Sequence, residues 1–159
     1  METKPVDELK KGYRVAIIIG ITMIASLFIY AAIVEFIKIN YKSFKGFSPF
    51  PEVEILRYIF FGITIAEFFL IGFIKKFILS REVTDENNPN QRAFSPRIQR
   101  LLTTAIVTYA ICESIALYGF VLFLIGGSSF DFYIFMVISF IFYVGYFPRY
   151  LQWEEYLSS

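Results

Sequence analysis

The chain of 159 residues has no histidine and one cysteine, and only 18% of its residues are charged. The absence of histidine removes any His-ligated metal site. Cys112 lies inside an apolar stretch, so neither a disulfide framework nor a Cys-rich zinc site is available. A formal net charge of +1 offers no basic surface large enough to suggest nucleic acid as a partner. A glycine-rich phosphate loop, a cysteine nucleophile with a base and a polar cluster beyond the loop charges are all missing, which argues against an enzyme. No convincing secretory signal is expected either. The polar N-terminal segment ends in Lys10, Lys11 and Arg14 and leads into an apolar run too long for a cleavable core, so that run is expected to be a permanent span.

What the chain has in excess is apolar side chain: 57% of its residues are hydrophobic and 20% aromatic, with 20 Phe. Soluble domains are about 45–50% apolar and about 25% charged, so both a soluble domain and a disordered tail are excluded. The excess falls in four blocks, roughly 15–37, 55–79, 98–125 and 130–147. Each is long enough at 1.5 Å per residue to cross all or most of a hydrocarbon core about 30 Å thick. The expectation is an all-α membrane protein in which residues 1–159 form one domain of four transmembrane helices, arranged as two antiparallel hairpins.

Local signals set the helix starts. Ser48, Pro49 and Pro51, followed by Glu52 and Glu54, mark the entry to the second span, and Ser95-Pro96 marks the entry to the third. Gly126-Gly127 ends the third, a short GGSSFD turn leads to the fourth, and Pro148-Arg149 closes it. Most basic residues, Lys10, Lys11, Lys75, Lys76, Arg81 and Arg97 among them, fall at the N-terminus, beside the middle loop and at the C-terminus. Lys38, Lys42, Lys45 and Arg57 fall on the other side, so the positive-inside bias places both termini in the cytoplasm. The expected setting is a prokaryotic inner or cell membrane. LFIYAAIV at 27–34 also echoes IALYGFVL at 115–122, either an internal duplication or a chance recurrence of Phe, Tyr and Ile at helical spacing.

Two charged residues sit deep within the spans, Glu67 in the second and Glu113 in the third, with no Lys or Arg at their depth. An unpaired carboxylate there costs several kcal/mol, which leaves three ways out: a proton, a bound cation, or a basic residue from another subunit. If the second and third helices lie side by side, the two acids could share one proton. Beside Glu113 runs a stripe of small residues, Ala105, Thr108, Cys112, Ala116 and Gly119, at spacings of three and four. Such stripes let helix backbones approach closely in lipid.

The stretch ICESIALYGFVLFLI, entered through SPRIQRLLTTAIV, resembles the carboxylate-bearing outer helix of the proteolipid subunit c of rotary ATP synthases and its V-type relatives. The resemblance covers roughly 35 residues. It implies that Glu113 carries a proton or a sodium ion, with Ser114 directly after it and Tyr118 five residues after it fixing the site, and Glu67 as a further ligand. It implies no other cofactor. The threonine that sodium-binding members use two residues after the carboxylate is Ile115 here. The family's glycine-rich inner helix is also absent: only Gly62 and Gly72 occur, amid Phe60, Phe61, Phe68, Phe69 and Phe73, and a longer segment around 87–92 replaces the compact loop.

The resulting expectation is a divergent, ion-translocating proteolipid-like subunit in contact with the lipid bilayer. It would work as a homo-oligomer or beside another membrane subunit that supplies the basic residue. The alternative is a non-transporting four-helix scaffold or assembly subunit in which the glutamates are neutral packing groups.

Overall fold

The computed structural model describes residues 3–41, 44–47, 53–80 and 94–158. Among them there are five helices and no strand: α1 (Thr3–Asn40), α2 (Val53–Ser80), α3 (Pro96–Gly126), α4 (Ser129–Tyr146) and α5 (Tyr150–Ser158). The first four are long and apolar enough to cross a bilayer, so the chain is an all-α integral membrane protein. The start signal at Ser48, Pro49, Pro51 and Glu52 and the loop 81–93, with its segment 87–92, lie outside the described residues, as do Lys42, Arg81 and Arg92. Glu54 occupies the first turn of α2, where an acid complements the helix dipole.

α3 is the hub, and burial shows why. Its buried residues, from Ile98 through Tyr109 and Ile115 to Phe123, are distributed around the helix, so it meets α1, α2 and α4 at once. α1 buries one stripe, Leu9, Gly12, Ala16, Gly20, Leu27 and Val34, at multiples of about three and four residues. α2 buries only Thr64 and Ile71, about one turn before and one turn after Glu67 on the same side, and leaves Phe69, Phe73 and Ile65 exposed. In lipid such residues need no protein cover. α1 and α2 each pack chiefly against α3, whereas α3 and α4 form a close hairpin.

Two features make that hairpin tight. Gly127 ends α3 in the left-handed region at φ 70°, with its N–H donating to the Phe123 carbonyl, and Ser128 caps α4 by accepting from the Asp131 N–H. Gly119 lets the helices close: a Cβ there would come within 2.7 Å of Phe135 Cβ and 3.0 Å of the Phe132 carbonyl oxygen. α4 therefore starts at Ser129, and Asp131 belongs to its first turn, ahead of the turn-to-span boundary expected from sequence.

Two ends differ from expectation. α1 is one unbroken helix that takes in the polar segment before residue 15. Beyond Pro148 the chain forms α5, which docks on the same end of the bundle: Tyr13 OH donates to the Pro148 carbonyl, Tyr156 OH to the Leu79 carbonyl, and Trp153 is buried edge-on to Tyr13. At α3, Ser95 and Pro96 stand where the sequence places them, but the Ser95 side chain makes no cap bond; Pro96 supplies the fixed first turn.

Candidate functional site

Each deep glutamate is held by a serine and a tyrosine one turn apart on the helix facing it. The Glu113 carboxyl, on α3, receives Ser26 Oγ at 2.6 Å and Tyr30 OH at 2.8 Å from α1, both on Oε1. The Glu67 carboxyl, on α2, receives Ser114 Oγ at 2.9 Å and Tyr118 OH at 2.7 Å from α3, again both on Oε1. Residues four apart lie above one another on a helix face, so a Ser-x-x-x-Tyr pair presents two hydroxyls to one acceptor.

The structure thus separates residues that the resemblance groups. Ser114 and Tyr118 serve Glu67, and Glu113 is served from α1. Consecutive helix positions point about 100° apart, so when Glu113 faces α1, Ser114 turns toward α2. The two carboxyls do not hydrogen-bond each other; each has its own pair of hydroxyls, and the shared proton expected for side-by-side helices has no geometry here. Ser26 and Tyr30 are the residues that sequence reasoning missed. The signal was present in the internal echo, which aligns Tyr30 with Tyr118 and, one residue upstream of the quoted stretch, Ser26 with Ser114.

The Ser26 hydroxyl has one proton and lies 2.6 Å from both the Met23 carbonyl oxygen and Glu113 Oε1. Ser114 lies 2.7 Å from the Ile111 carbonyl oxygen and 2.9 Å from Glu67 Oε1. Each serine hydroxyl is shared between a carbonyl of its own helix, one turn back, and the facing carboxyl, and each tyrosine hydroxyl donates to that same carboxyl oxygen, so two hydroxyls serve one Oε1 in each cluster. Glu67 Oε2 is buried and has no partner, a tolerable state for a neutral acid and a costly one for a carboxylate.

The stripe residues Ala105, Thr108, Cys112, Ala116 and Gly119 are all buried, and α4 lies close to it. Ser139 Oγ donates to the Cys112 carbonyl at 2.5 Å, and Tyr143 OH to the Tyr109 carbonyl at 3.1 Å. The stripe is filled by a helix of the same chain at Gly119 and Cys112.

A second polar layer lies at the end where α2 and α4 begin. Asp131, 3% exposed, accepts from Arg57 Nη2 at 2.8 Å. Glu35 accepts from Tyr133 OH and pairs with Lys38 at 2.7 Å. Among the described residues no group of three or more His, Cys, Asp or Glu gathers to hold a metal ion.

No family model matches the chain, and neither a curated protein nor a solved structure matches it.

Proposed function

We propose that the chain is a proteolipid-like membrane subunit in which Glu113 carries a proton, with Glu67 as a second protonated acid. The observation that carries this reading is the pair of Glu, Ser and Tyr clusters, each of which sets two hydroxyls on one carboxyl oxygen inside the apolar spans. Sodium in place of the proton would use the same oxygens. The spans contribute no basic group to either cluster, so release of the proton requires a membrane partner, another subunit or another copy, that brings a Lys or Arg to the acid. The bias of Lys and Arg supports an orientation with both termini and the middle loop in the cytoplasm, and the reading takes the setting to be a prokaryotic inner or cell membrane. The function assigned is ion movement within a larger complex, with no catalytic chemistry.

The test is labelling with a hydrophobic carbodiimide, which attacks protonated acids. Glu113 is expected to react, and to react less as the pH rises. Glu113→Gln is expected to assemble with its partners and to block ion movement across vesicles. Normal transport by that variant overturns the reading.

One observation favours a second reading. Both carboxyls lie between helices of the same chain, and Gly119 is filled by α4. On this reading the protein is an assembly module, and the acids are neutral fasteners. Glu113→Gln is then silent, and a bulky residue at Ala116 or Gly119 disrupts association with the complex.

A further inference from the structure

A cavity of about 400 Å³ opens between the C-terminal part of α2, the first turns of α3, the end of α4 and α5. Its volume lies within the roughly 300–1,000 Å³ of small-ligand pockets. Lys75, Thr104, Tyr146, Trp153, Glu155 and Tyr156 supply its polar and aromatic lining. None of them belongs to the glutamate clusters.

Two of these groups lack the partner their chemistry calls for. Lys75 lies over the Tyr146 ring, its Nζ 4.6 Å from the centroid, and among the described residues no carboxylate stands within 4.0 Å of it. Thr104 is 6% exposed, and its hydroxyl is buried with no hydrogen-bond partner. That hydroxyl stands apart from its neighbours: Thr22, Thr64, Thr103 and Thr108 each donate to the carbonyl one turn back. Thr104 stands at the cavity wall with an unmet donor that is closed to solvent and that a turn of its side chain would present to an occupant.

The lining also carries charge of both signs. Lys75 is half-buried on α2, and Glu155 is exposed on α5. Trp153 and Tyr156, beside Glu155, are the ring types that attract an ammonium. Leu79, Leu101 and Ala105 complete an apolar wall. The aromatic side chains belong to the kind that gather at a membrane interface. A ligand complementary to this set has a phosphate for Lys75 and Thr104, an ammonium with N–H donors for Glu155, and an apolar tail for the leucines.

The geometry points to phosphatidylethanolamine as the occupant, its zwitterionic headgroup held between Lys75 and Glu155 under α5. Phosphatidylglycerol offers Glu155 nothing to pair with. Phosphatidylcholine has an ammonium without hydrogen-bond donors.

The test is native mass spectrometry of the purified full-length protein, titrated with phosphatidylethanolamine, phosphatidylcholine and phosphatidylglycerol. Phosphatidylethanolamine is expected to bind about tenfold more tightly than the other two. Lys75→Gln, Thr104→Val and Glu155→Gln are each expected to remove that preference, and Lys76→Gln, on an exposed side chain, to keep it. Glu155→Gln changes an exposed position and so keeps the fold as the decisive variant. Equal retention of the three lipids, a preference for phosphatidylglycerol, an unchanged preference in Glu155→Gln, or full displacement by inorganic phosphate overturns the proposal.

Discussion

Asp131 and Glu113 are both acids within apolar helices, and they meet their surroundings in opposite ways. Asp131 faces a guanidinium, that of Arg57, and is held as an ion. Glu113 and Glu67 each face a serine and a tyrosine hydroxyl, and no cation pairs with either among the described residues. The difference follows from position. Arg57 is one turn into α2 and Asp131 in the first turn of α4, at the end of the bundle where a charged head can still reach water. The deep acids have no such reach, so the helices facing them offer Ser and Tyr. The chain uses charge at its rim and hydroxyls at its centre.

The same acid-to-amide change should therefore have very different effects in the two places. Asp131→Asn leaves the Arg57 guanidinium without its anion; because Arg57 still reaches water, the loss is expected to fall below that of a fully buried pair, about 3–5 kcal/mol, and above that of an exposed one, roughly 1 kcal/mol. A denaturant titration in detergent is expected to show that loss, and the double change Arg57→Met with Asp131→Leu is expected to recover most of it. Recovery absent from the double variant would mean that the pair is not the source. Chemical labelling sharpens the contrast further. A hydrophobic carbodiimide should modify Glu67 and Glu113 and spare Asp131, read by peptide mapping. Modification of Asp131 at the same rate would erase the distinction between ion and neutral acid.

Smaller effects belong to the hydroxyls. Single interhelix hydrogen bonds in membranes average about 0.6 kcal/mol and reach about 1.7 kcal/mol, so Ser26→Ala and Tyr30→Phe should each fall in that range. Ser114→Ala and Tyr118→Phe should match them if the two clusters are equivalent, and unequal losses would rank the α1–α3 and α2–α3 contacts. Smallest of all is Glu113→Gln, whose amide can both donate to Ser26 and accept from Tyr30. It should change stability by less than about 0.6 kcal/mol, so that any large effect on transport is a loss of the proton and not of the fold.

The spans were legible because four apolar blocks have one explanation at this length. That Glu67 and Glu113 fall inside the second and third of these helices was legible for the same reason. Which helix each acid faces was not, because the 100° step between Glu113 and Ser114 sends neighbours in sequence to different partners in space. Ser26 and Tyr30 were hidden among Ile, Met and Phe, where a lone hydroxyl usually bonds its own helix, and only their counterparts at Ser114 and Tyr118 give them away. α5 escaped because Pro148 reads as an ending. YLQWEEYL after it is too short and too polar for a span, and its helix is fixed by the docking of Trp153 and Tyr156 on the bundle. The Phe side chains of α2 divide: Phe69, Phe73 and Phe77 are exposed, while Phe60, Phe61 and Phe68 meet the rings of Tyr118, Phe135 and Phe142 on α3 and α4.

α1 runs through 38 residues without a break, about 57 Å at 1.5 Å per residue, close to twice the thickness of the hydrocarbon core. The part that overhangs the bilayer is therefore a rigid arm rather than a tether. Lys10 and Lys11 lie on that arm, and Ser26 and Tyr30 lie further along the same rod. A push or twist applied to the arm by a neighbouring protein is delivered to the hydroxyls that hold Glu113, some four turns away, with no joint between them to absorb it.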